Sequence, residues 1–306
     1  MKVMFMGTPD FSVPVLEGLI KNYDVVCVVT QEDKPIGRGG KVKCTPVKQM
    51  ALENDIYCFQ PHRLKDSVDE IKRINPDIII TCAYGQILPP SILEIPKYGC
   101  INVHASLLPK LRGGAPIHHA IIDGYDETGV TIMYMAEGMD SGDIISQKKI
   151  KIEDDDTASS LHDKLSIIGR YLLLDTLPSI IDGTNDRTSQ DESLVTYGYN
   201  ISREDEKIDF NKSRKEVYNL IRGLNSFPGA YSVLDGKIIK IYSSRIGNDC
   251  TGKCGEITKV YKDGFGVKVS DGEIIITSLK PSGKREMSAR DFVNGMHEDI
   301  VGKVFD

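Results

Sequence analysis

The sequence predicts an α/β protein with a Rossmann-like, doubly wound N-terminal domain and a smaller, OB-like β-barrel C-terminal domain. Two observations lead to this prediction. Runs that are apolar on both faces, such as VVCVV (25–29) and IIIT (78–81), alternate with helical patterns over the first 105 residues. This alternation is typical of a parallel sheet covered on both sides. Beyond residue 206, short β-rich segments recur between glycine turns, as they do in small barrels.

The N-terminal domain is predicted to contain four core strands and several helices. The strands are KVMFMG (2–7), DVVCVVT (24–30), DIIITCAY (77–84) and GCINVHA (99–105), and the first helices lie near 12–21, 45–54 and 65–74. A long amphipathic helix is predicted over 157–181, because leucine and isoleucine recur on one face and Thr157 is a good N-cap. We expect this helix to close the first domain.

The composition turns polar after this helix, which is typical of a linker. We therefore expect a first domain over 1–184, a linker over 185–206 and a second domain over 207–306. In the second domain a helix is predicted near 213–224, followed by β-rich segments at 230–234, 238–243, 256–260, 265–269 and 273–279. Barrels of this type often bind nucleic acids.

Composition excludes several classes of protein. The chain has 306 residues, of which 40% are hydrophobic, and no apolar run approaches the ~18 residues of a membrane span. The N-terminal apolar run is too short for a secretory signal, so we expect a cytoplasmic protein without membrane partners. Seven scattered cysteines predict no disulfide framework. Cys250 and Cys254 lack a second pair of ligands, so we expect no metal.

Residues 98–116, YGCINVHASLLPKLRGGAP, are the most informative stretch. Asn102 and His104 are two positions apart on a predicted strand, so their side chains share one face. The strand then enters a loop punctuated by proline and glycine, where open α/β sheets place their active sites. A lone histidine at a strand end is more often structural than catalytic, so the context must decide.

Asp140 supplies that context. It lies between Gly138 and Gly142, in a loop that separates β-rich runs at 128–135 and 143–150. An acid in such a loop is well placed to face a cleft. An amide, an imidazole and a carboxylate together suit acyl-type transfer. Dinucleotide binding is not expected, because the first turn, GTPDF, lacks the G-x-G-x-x-G pattern.

Motifs along nearly the whole chain resemble the methionyl-tRNA formyltransferases, a branch of the 10-formyltetrahydrofolate-dependent formyltransferase family. They are GTPDF (7–11), QEDKPIGRGGKVKCTPVK (31–48), AYGQILP (83–89), GCINVHASLLPKLRGGAPI (99–117), TGVTIM (128–133), GMDSGDI (138–144) and LKPSGKREMSARDFVNG (279–295). The resemblance implies transfer of formyl from 10-formyltetrahydrofolate, as a co-substrate, to an amine. It implies catalytic roles for Asn102, His104 and Asp140 and requires no nucleophilic serine or cysteine.

The same resemblance implies a folate site. The expected folate-binding residues are Ser106, Leu107, Leu108 and Pro109, with Tyr84, Ile87 and Leu88 as a second wall. The two leucines of the loop offer apolar surface to a flat ring, and the proline stiffens the backbone. The alternative is that both leucines belong to the core.

The resemblance also implies initiator methionyl-tRNA as the partner and translation initiation as the role. The expected tRNA-binding residues are Arg38, Lys41 and Lys43, in a basic, glycine-rich loop, although a basic run is usually a solvated surface. Leu111 departs from the family, whose members often have tryptophan there; we expect only a changed packing contact. We expect a monomer.

Two rival hypotheses remain. A formyltransferase acting on a small amine, such as a nucleotide sugar, would not need the basic loop. An RNA-binding protein on an inactive enzyme scaffold would have lost Asn102, His104 or Asp140, and all three are present.

Overall fold

The computed structural model of the protein describes residues 1–36, 41–296 and 298–306. The chain divides into two compact units, each assembled from three segments. The first unit consists of Met1–Pro116, Glu127–Lys151 and His162–Tyr199, and the second of Ile117–Asp126, Ile152–Leu161 and Asn200–Asp306. The domain boundaries predicted from composition stay a prediction.

Strands and helices alternate through the first two thirds of the chain. In order, they are β1 (Lys2–Gly7), α1 (Val13–Asn22), β2 (Asp24–Val29), β3 (Lys34–Ile36), β4 (Lys41–Lys43), α2 (Pro46–Glu53), β5 (Cys58–Phe59), α3 (Val68–Ile74), β6 (Ile78–Cys82), α4 (Pro90–Leu93), β7 (Cys100–His104), α5 (Pro116–Ile122), β8 (Glu127–Tyr134), β9 (Ile144–Lys151) and α6 (Ala158–Asp182). Short 3-10 turns cover Asp10–Ser12, Leu64–Ser67 and Glu192–Leu194.

The main sheet of the first unit has seven strands in the order β5-β2-β1-β6-β7-β8-β9. The first five are parallel, and β8 and β9 continue the sheet in antiparallel pairing. The chain runs outward from β1 to β5 and then returns to β6 on the other side of β1, which is the doubly wound arrangement. The expected Rossmann-like domain is confirmed. Burial explains why β1 is apolar from Val3 onward and why Thr81 is the one polar residue of β6.

Local sequence signals account for the helix starts. Thr45 accepts a hydrogen bond from the backbone N–H of Lys48 at 3.1 Å and caps α2. Thr157 accepts one from the backbone N–H of Ser160, also at 3.1 Å, as expected for the predicted cap of α6. The helix predicted near 65–74 begins instead with a 3-10 turn and becomes α-helical at Val68.

The second unit contains an antiparallel sheet. Its elements are α7 (Arg214–Gly223), β10 (Ala230–Leu234), β11 (Lys237–Ile246), β12 (Ile257–Val260), β13 (Phe265–Val269), β14 (Gly272–Pro281), β15 (Met287–Ser288) and α8 (Ala289–Asn294). The strand order is β10-β11-β14-β13-β12, and β15 pairs with β14. Within the described residues no ladder joins β10 to β12. The backbone N–H groups of Phe305 and Asp306 donate to Gly255 and Val233, respectively, both at 2.9 Å, and so connect the two edges.

Two segments from the middle of the chain also belong to the second unit. The buried guanidinium of Arg222 donates to the backbone carbonyls of Glu153 at 3.0 Å and Asp156 at 2.9 Å. A ring nitrogen of His118 lies 2.7 Å from the carbonyl oxygen of Gly223, and Ile122 packs against the unit's apolar core. The second unit therefore depends on residues far from the rest of it in sequence.

In the described part of the chain, every helix is too short or too polar to cross a lipid bilayer.

Candidate active site

Asn102 lies in β7, where it pairs in register with Thr81 of β6. The Thr81 hydroxyl donates to the Asn102 side-chain oxygen at 2.9 Å. Because that oxygen is occupied, the amide nitrogen points the other way, 3.4 Å from Oδ1 of Asp140. The contact with Asp140 is longer than a strong hydrogen bond. An amide nitrogen has two N–H donors, so Asn102 can still donate to a substrate oxygen.

His104 ends the same strand and is buried, with 6% of its surface exposed. Its Nε2 lies 3.0 Å from the backbone carbonyl oxygen of Leu111. A carbonyl can only accept, so Nε2 carries a hydrogen and this contact fixes the tautomer of the neutral ring. Nδ1, the other nitrogen, lies 3.7 Å from Oδ2 of Asp140. Proton exchange at this ring is therefore directed to Nδ1, beside a carboxylate.

Asp140 is held on the loop between β8 and β9. Its backbone is in the left-handed region, with φ of 46°, and its Oδ2 accepts a hydrogen bond from the backbone N–H of Gly113 at 2.9 Å. A Cβ on Gly142 would lie 1.9 Å from the carbonyl oxygen of Tyr134, so only glycine fits there. The three side chains proposed from sequence are thus brought together, with Asp140 facing both Asn102 and His104.

The segment following β7 is fixed by polar side chains from β8 and β9. Thr131 donates to the carbonyl oxygen of Ser106 at 2.6 Å and accepts from the backbone N–H of Leu108 at 3.2 Å. Gln147 donates to the Leu108 carbonyl oxygen at 2.8 Å. The Ser106 hydroxyl is itself used within the loop, donating to the Lys110 carbonyl oxygen at 2.6 Å. Four hydrogen bonds therefore restrain the backbone of this loop.

The apolar residues expected to contact folate differ in accessibility. Leu108 is buried, whereas Leu107 and Pro109 are half-buried. In the other expected wall, Tyr84 and Leu88 are buried within the core. Ile87, by contrast, is 84% exposed.

The hydroxyl of Tyr84 is buried without a hydrogen-bond partner in the described residues. Burial raises its pKa above the ordinary range, so this side chain is a neutral phenol.

The expected tRNA-binding loop is described only in part. Arg38 and the side chain of Lys41 lie outside the described residues, and Lys43 is exposed. At the base of the loop, the Lys48 ammonium donates to Asp33 at 2.5 Å and Gln60 donates to the same carboxylate at 2.8 Å. The bond from Lys48, followed by that from Gln60, lowers the pKa of Asp33 below its usual value. Asp33 is thus an ionised anchor for this loop.

Two cysteines near the site are poor nucleophiles. Burial raises the pKa of both Cys82, on β6, and Cys100, on β7, to about 12. Among residues 1–36, 41–296 and 298–306, no group of three or more histidine, cysteine or acidic side chains is arranged to hold a metal ion.

Two family models match the chain. A family model described as formyl transferase matches residues 1–177, and a second, described as the formyl transferase C-terminal domain, matches residues 200–297. The chain belongs to the formyl transferase family. Its N-terminal match contains the strand end and the loop that bring Asn102, His104 and Asp140 together.

Two relatives within this family match the chain nearly end to end. A methionyl-tRNA formyltransferase from Staphylococcus epidermidis is 49% identical over 306 residues, 99% of each chain. One from Bacillus thuringiensis subsp. konkukian is 50% identical over 308 residues, covering 99% of this chain and 98% of its own.

Solved structures of other proteins share the fold. An N-formyltransferase from Helicobacter canadensis, in complex with folinic acid and dTDP-3-aminofucose, has a TM-score of 0.70 at 24% identity and covers 90% of this chain and 99% of its own. HypX from Aquifex aeolicus, in complex with tetrahydrofolic acid, has a TM-score of 0.66 at 17% identity. That match covers 100% of this chain and 51% of HypX.

Two residues of the site are not marked by any sequence pattern. Thr81 orients the Asn102 amide from an apolar strand, where it reads as one more β-branched residue. Gln190 donates to the carbonyl oxygens of Asp140 and Gly142 from the stretch predicted as a linker. Polar composition identified that stretch but could not reveal its partners.

Proposed function

We propose that this protein transfers the formyl group of 10-formyltetrahydrofolate to the α-amine of methionyl initiator tRNA. The proposal is carried by one observation: an amide, an imidazole and a carboxylate converge at the carboxyl end of β7. They do so in a chain about half identical to full-length methionyl-tRNA formyltransferases.

The chemistry requires an oxyanion to be stabilised and a proton to be moved. The α-amine attacks the formyl carbon, and an N–H of Asn102 donates to the oxygen that becomes negative in the tetrahedral intermediate. Nδ1 of His104 takes the proton released by the amine, next to the Asp140 carboxylate. The bond from the formyl carbon to N10 of the folate then breaks, and the proton passes to N10. The products are the formamide and tetrahydrofolate.

The loop after β7 supports a role in binding the folate. Its backbone is fixed by Thr131 and Gln147, and Leu107 keeps part of its apolar surface accessible. We assign Ser106, Leu107, Leu108 and Pro109 to this site, with Ile87 as the accessible part of the second wall. Tyr84 and Leu88 would support that wall from the core.

Recognition of the tRNA is assigned to the basic loop and the second unit. Arg38, Lys41 and Lys43 would approach the acceptor end, where lysine and arginine neutralise backbone phosphates. The salt bridge between Asp33 and Lys48 gives the loop a fixed base.

The test is direct formyl transfer. The protein is incubated with 10-formyltetrahydrofolate and either methionyl initiator tRNA or methionyl elongator tRNA, and formylmethionine is quantified after deacylation. We expect transfer to the initiator and little to the elongator. Equal transfer to both would refute the initiator specificity, and transfer only to an amino sugar nucleotide would refute tRNA as the acceptor.

A further inference from the structure

Gln190 uses its whole side-chain amide to connect two parts of the active site. Its nitrogen donates to the backbone carbonyl oxygens of Asp140 at 2.7 Å and Gly142 at 2.8 Å. Its oxygen accepts from Nε of Arg112 at 3.0 Å. Carbonyls only accept and a guanidinium only donates, so one orientation of the amide satisfies all three contacts.

Arg112 gives this connection a firm base. The residue is buried, at 3% exposure, and its guanidinium also donates to Glu192 at 2.7 and 3.3 Å. Its backbone N–H donates to the carbonyl oxygen of Thr196 at 2.9 Å, and its carbonyl accepts from Gly198 at 2.8 Å. Both the main chain and the side chain of Arg112 are therefore fixed to the segment that carries Gln190.

The loop that Gln190 contacts has a strained and partly exposed backbone, so its conformation needs support from outside the loop. Asp140 holds a left-handed backbone conformation, with φ of 46°, which is unfavourable for a residue other than glycine. The neighbouring Met139 is 56% exposed, and glycines stand at positions 138 and 142. The Asp140 carboxylate nevertheless has to remain 3.7 Å from Nδ1 of His104.

We propose that Gln190 is a positioning residue for the reaction. Its amide holds the backbone of residues 140–142 so that the Asp140 carboxylate faces His104, and Gln190 itself does not contact substrate. This inference rests on the proposed formyl transfer, and it adds to that reaction a residue outside the strand-end motif.

Two variants of Gln190 separate this role from general packing. Gln190→Ala removes the amide, and Gln190→Met keeps the side-chain length while removing all three polar contacts. Gln49→Ala is the matched control, since Gln49 is an exposed glutamine that bonds Glu53 on its own helix. Amide hydrogen exchange is measured by NMR without any substrate at Gly113, whose N–H donates to Oδ2 of Asp140 at 2.9 Å. Steady-state kinetics are measured with 10-formyltetrahydrofolate and methionyl-tRNA.

We expect the Gly113 amide to exchange faster in both Gln190 variants, because the Asp140 carboxylate that it bonds is no longer held in place, while the sheet of the first unit keeps its protection. Because small misplacements of catalytic groups cost up to about 100-fold, kcat should fall about 10- to 100-fold, whereas both KM values should change little. In an Asp140→Asn background the same substitutions should lower kcat by less than about twofold, since they act through Asp140.

Unchanged exchange at Gly113 would overturn the inference, whether or not the wild-type protein transfers formyl. Additive losses in the double variants would also overturn it, because they would mean that Gln190 acts independently of Asp140. If the wild-type protein fails to transfer formyl while exchange is raised in the variants, the proposed function is refuted instead. Should Gln190→Ala not fold, the length-matched Gln190→Met carries the same test.

Discussion

Replacement of Asn102 tests the assignment of the oxyanion donor. The Thr81 hydroxyl, 2.9 Å from the amide oxygen, turns the amide nitrogen toward the reacting groups. Asn102→Ala removes that nitrogen, and loss of one oxyanion donor typically costs about 100- to 1,000-fold in kcat, or about 2.7–4 kcal/mol. The cost to folding should be about 1 kcal/mol, because Thr81 keeps a second acceptor, the Ile101 carbonyl, at 3.2 Å.

Asn102→Asp sharpens the experiment. The substitution keeps an oxygen for Thr81 but replaces the amide nitrogen with a second oxygen, at a position 3.4 Å from Oδ1 of Asp140. The donor is lost and two carboxylates face each other, so kcat should fall at least as far as in Asn102→Ala. Thr81→Val is the control: it leaves the amide in place and should affect kcat less than either change.

The assay is single-turnover formylation of methionyl-tRNA, with tRNA affinity measured separately by filter binding. Turnover should collapse in both Asn102 variants while the Kd for tRNA stays near the wild-type value. A loss of less than about tenfold in the single-turnover rate constant, in a protein with normal melting behaviour, would refute the oxyanion role. A matching loss of tRNA affinity would point instead to a binding role.

Three further predictions concern other parts of the molecule. Gly142→Ala places a Cβ 1.9 Å from the Tyr134 carbonyl oxygen; we expect a loss of about 2–3 kcal/mol in thermal unfolding, together with reduced kcat. Lys48 lowers the pKa of Asp33 below 3.8, so the stability this pair adds is present above that pH and is lost as pH falls through the lowered value. The unfolding free-energy difference between wild type and Asp33→Asn, measured in urea, should therefore be constant well above pH 3.8 and shrink as the pH falls below it. Arg222→Ala leaves buried carbonyls unpaired and should cost about 3 kcal/mol in urea unfolding.

Each of these predictions has a matched comparison. Apart from Gly183 and its two chain neighbours, no heavy atom of the described residues lies within 4 Å of the point that a Cβ would take there, so Gly183→Ala should cost only its positive φ, about 1 kcal/mol. Lys48→Gln should reproduce the pH dependence of Asp33→Asn, and a divergence would contradict the pairing. The matched comparison for Arg222 is Lys215, whose ion pair with Asp154 is exposed. Lys215→Ala should lower the free energy of unfolding by less than about 1 kcal/mol.

Local sequence patterns were sufficient to predict most of the strands and helices. Continuous apolar runs predicted the parallel strands, and Thr157 marked the start of α6 to within one residue. The predicted strands 230–234 and 265–269 coincide with β10 and β13. These features depend on side-chain periodicity and capping, which are encoded within a few residues.

The candidate site was predictable where its chemistry is concentrated in motifs and not where it depends on register. Asn102 and His104 share a strand face because side chains alternate along a strand. Asp140 is marked in the sequence by the glycines at 138 and 142. Thr81 reaches Asn102 only because β6 and β7 pair in one register. Gln190 meets Asp140 across 50 positions of sequence, and no local pattern specifies such a contact.

Because the second unit is assembled from three separate segments, it cannot be cut out of the chain as one continuous piece. Residues 200–306 contain every strand of its sheet, yet Arg222 finds two of its acceptors at Glu153 and Asp156, and Ile122 covers part of the core. In a fragment that begins at residue 200, the Arg222 guanidinium would lack the carbonyls of Glu153 and Asp156. The part of the core that Ile122 covers would be exposed to water. The sheet therefore cannot be moved to another protein on its own. A chimaera that keeps the second unit whole must also include residues 117–126 and 152–161.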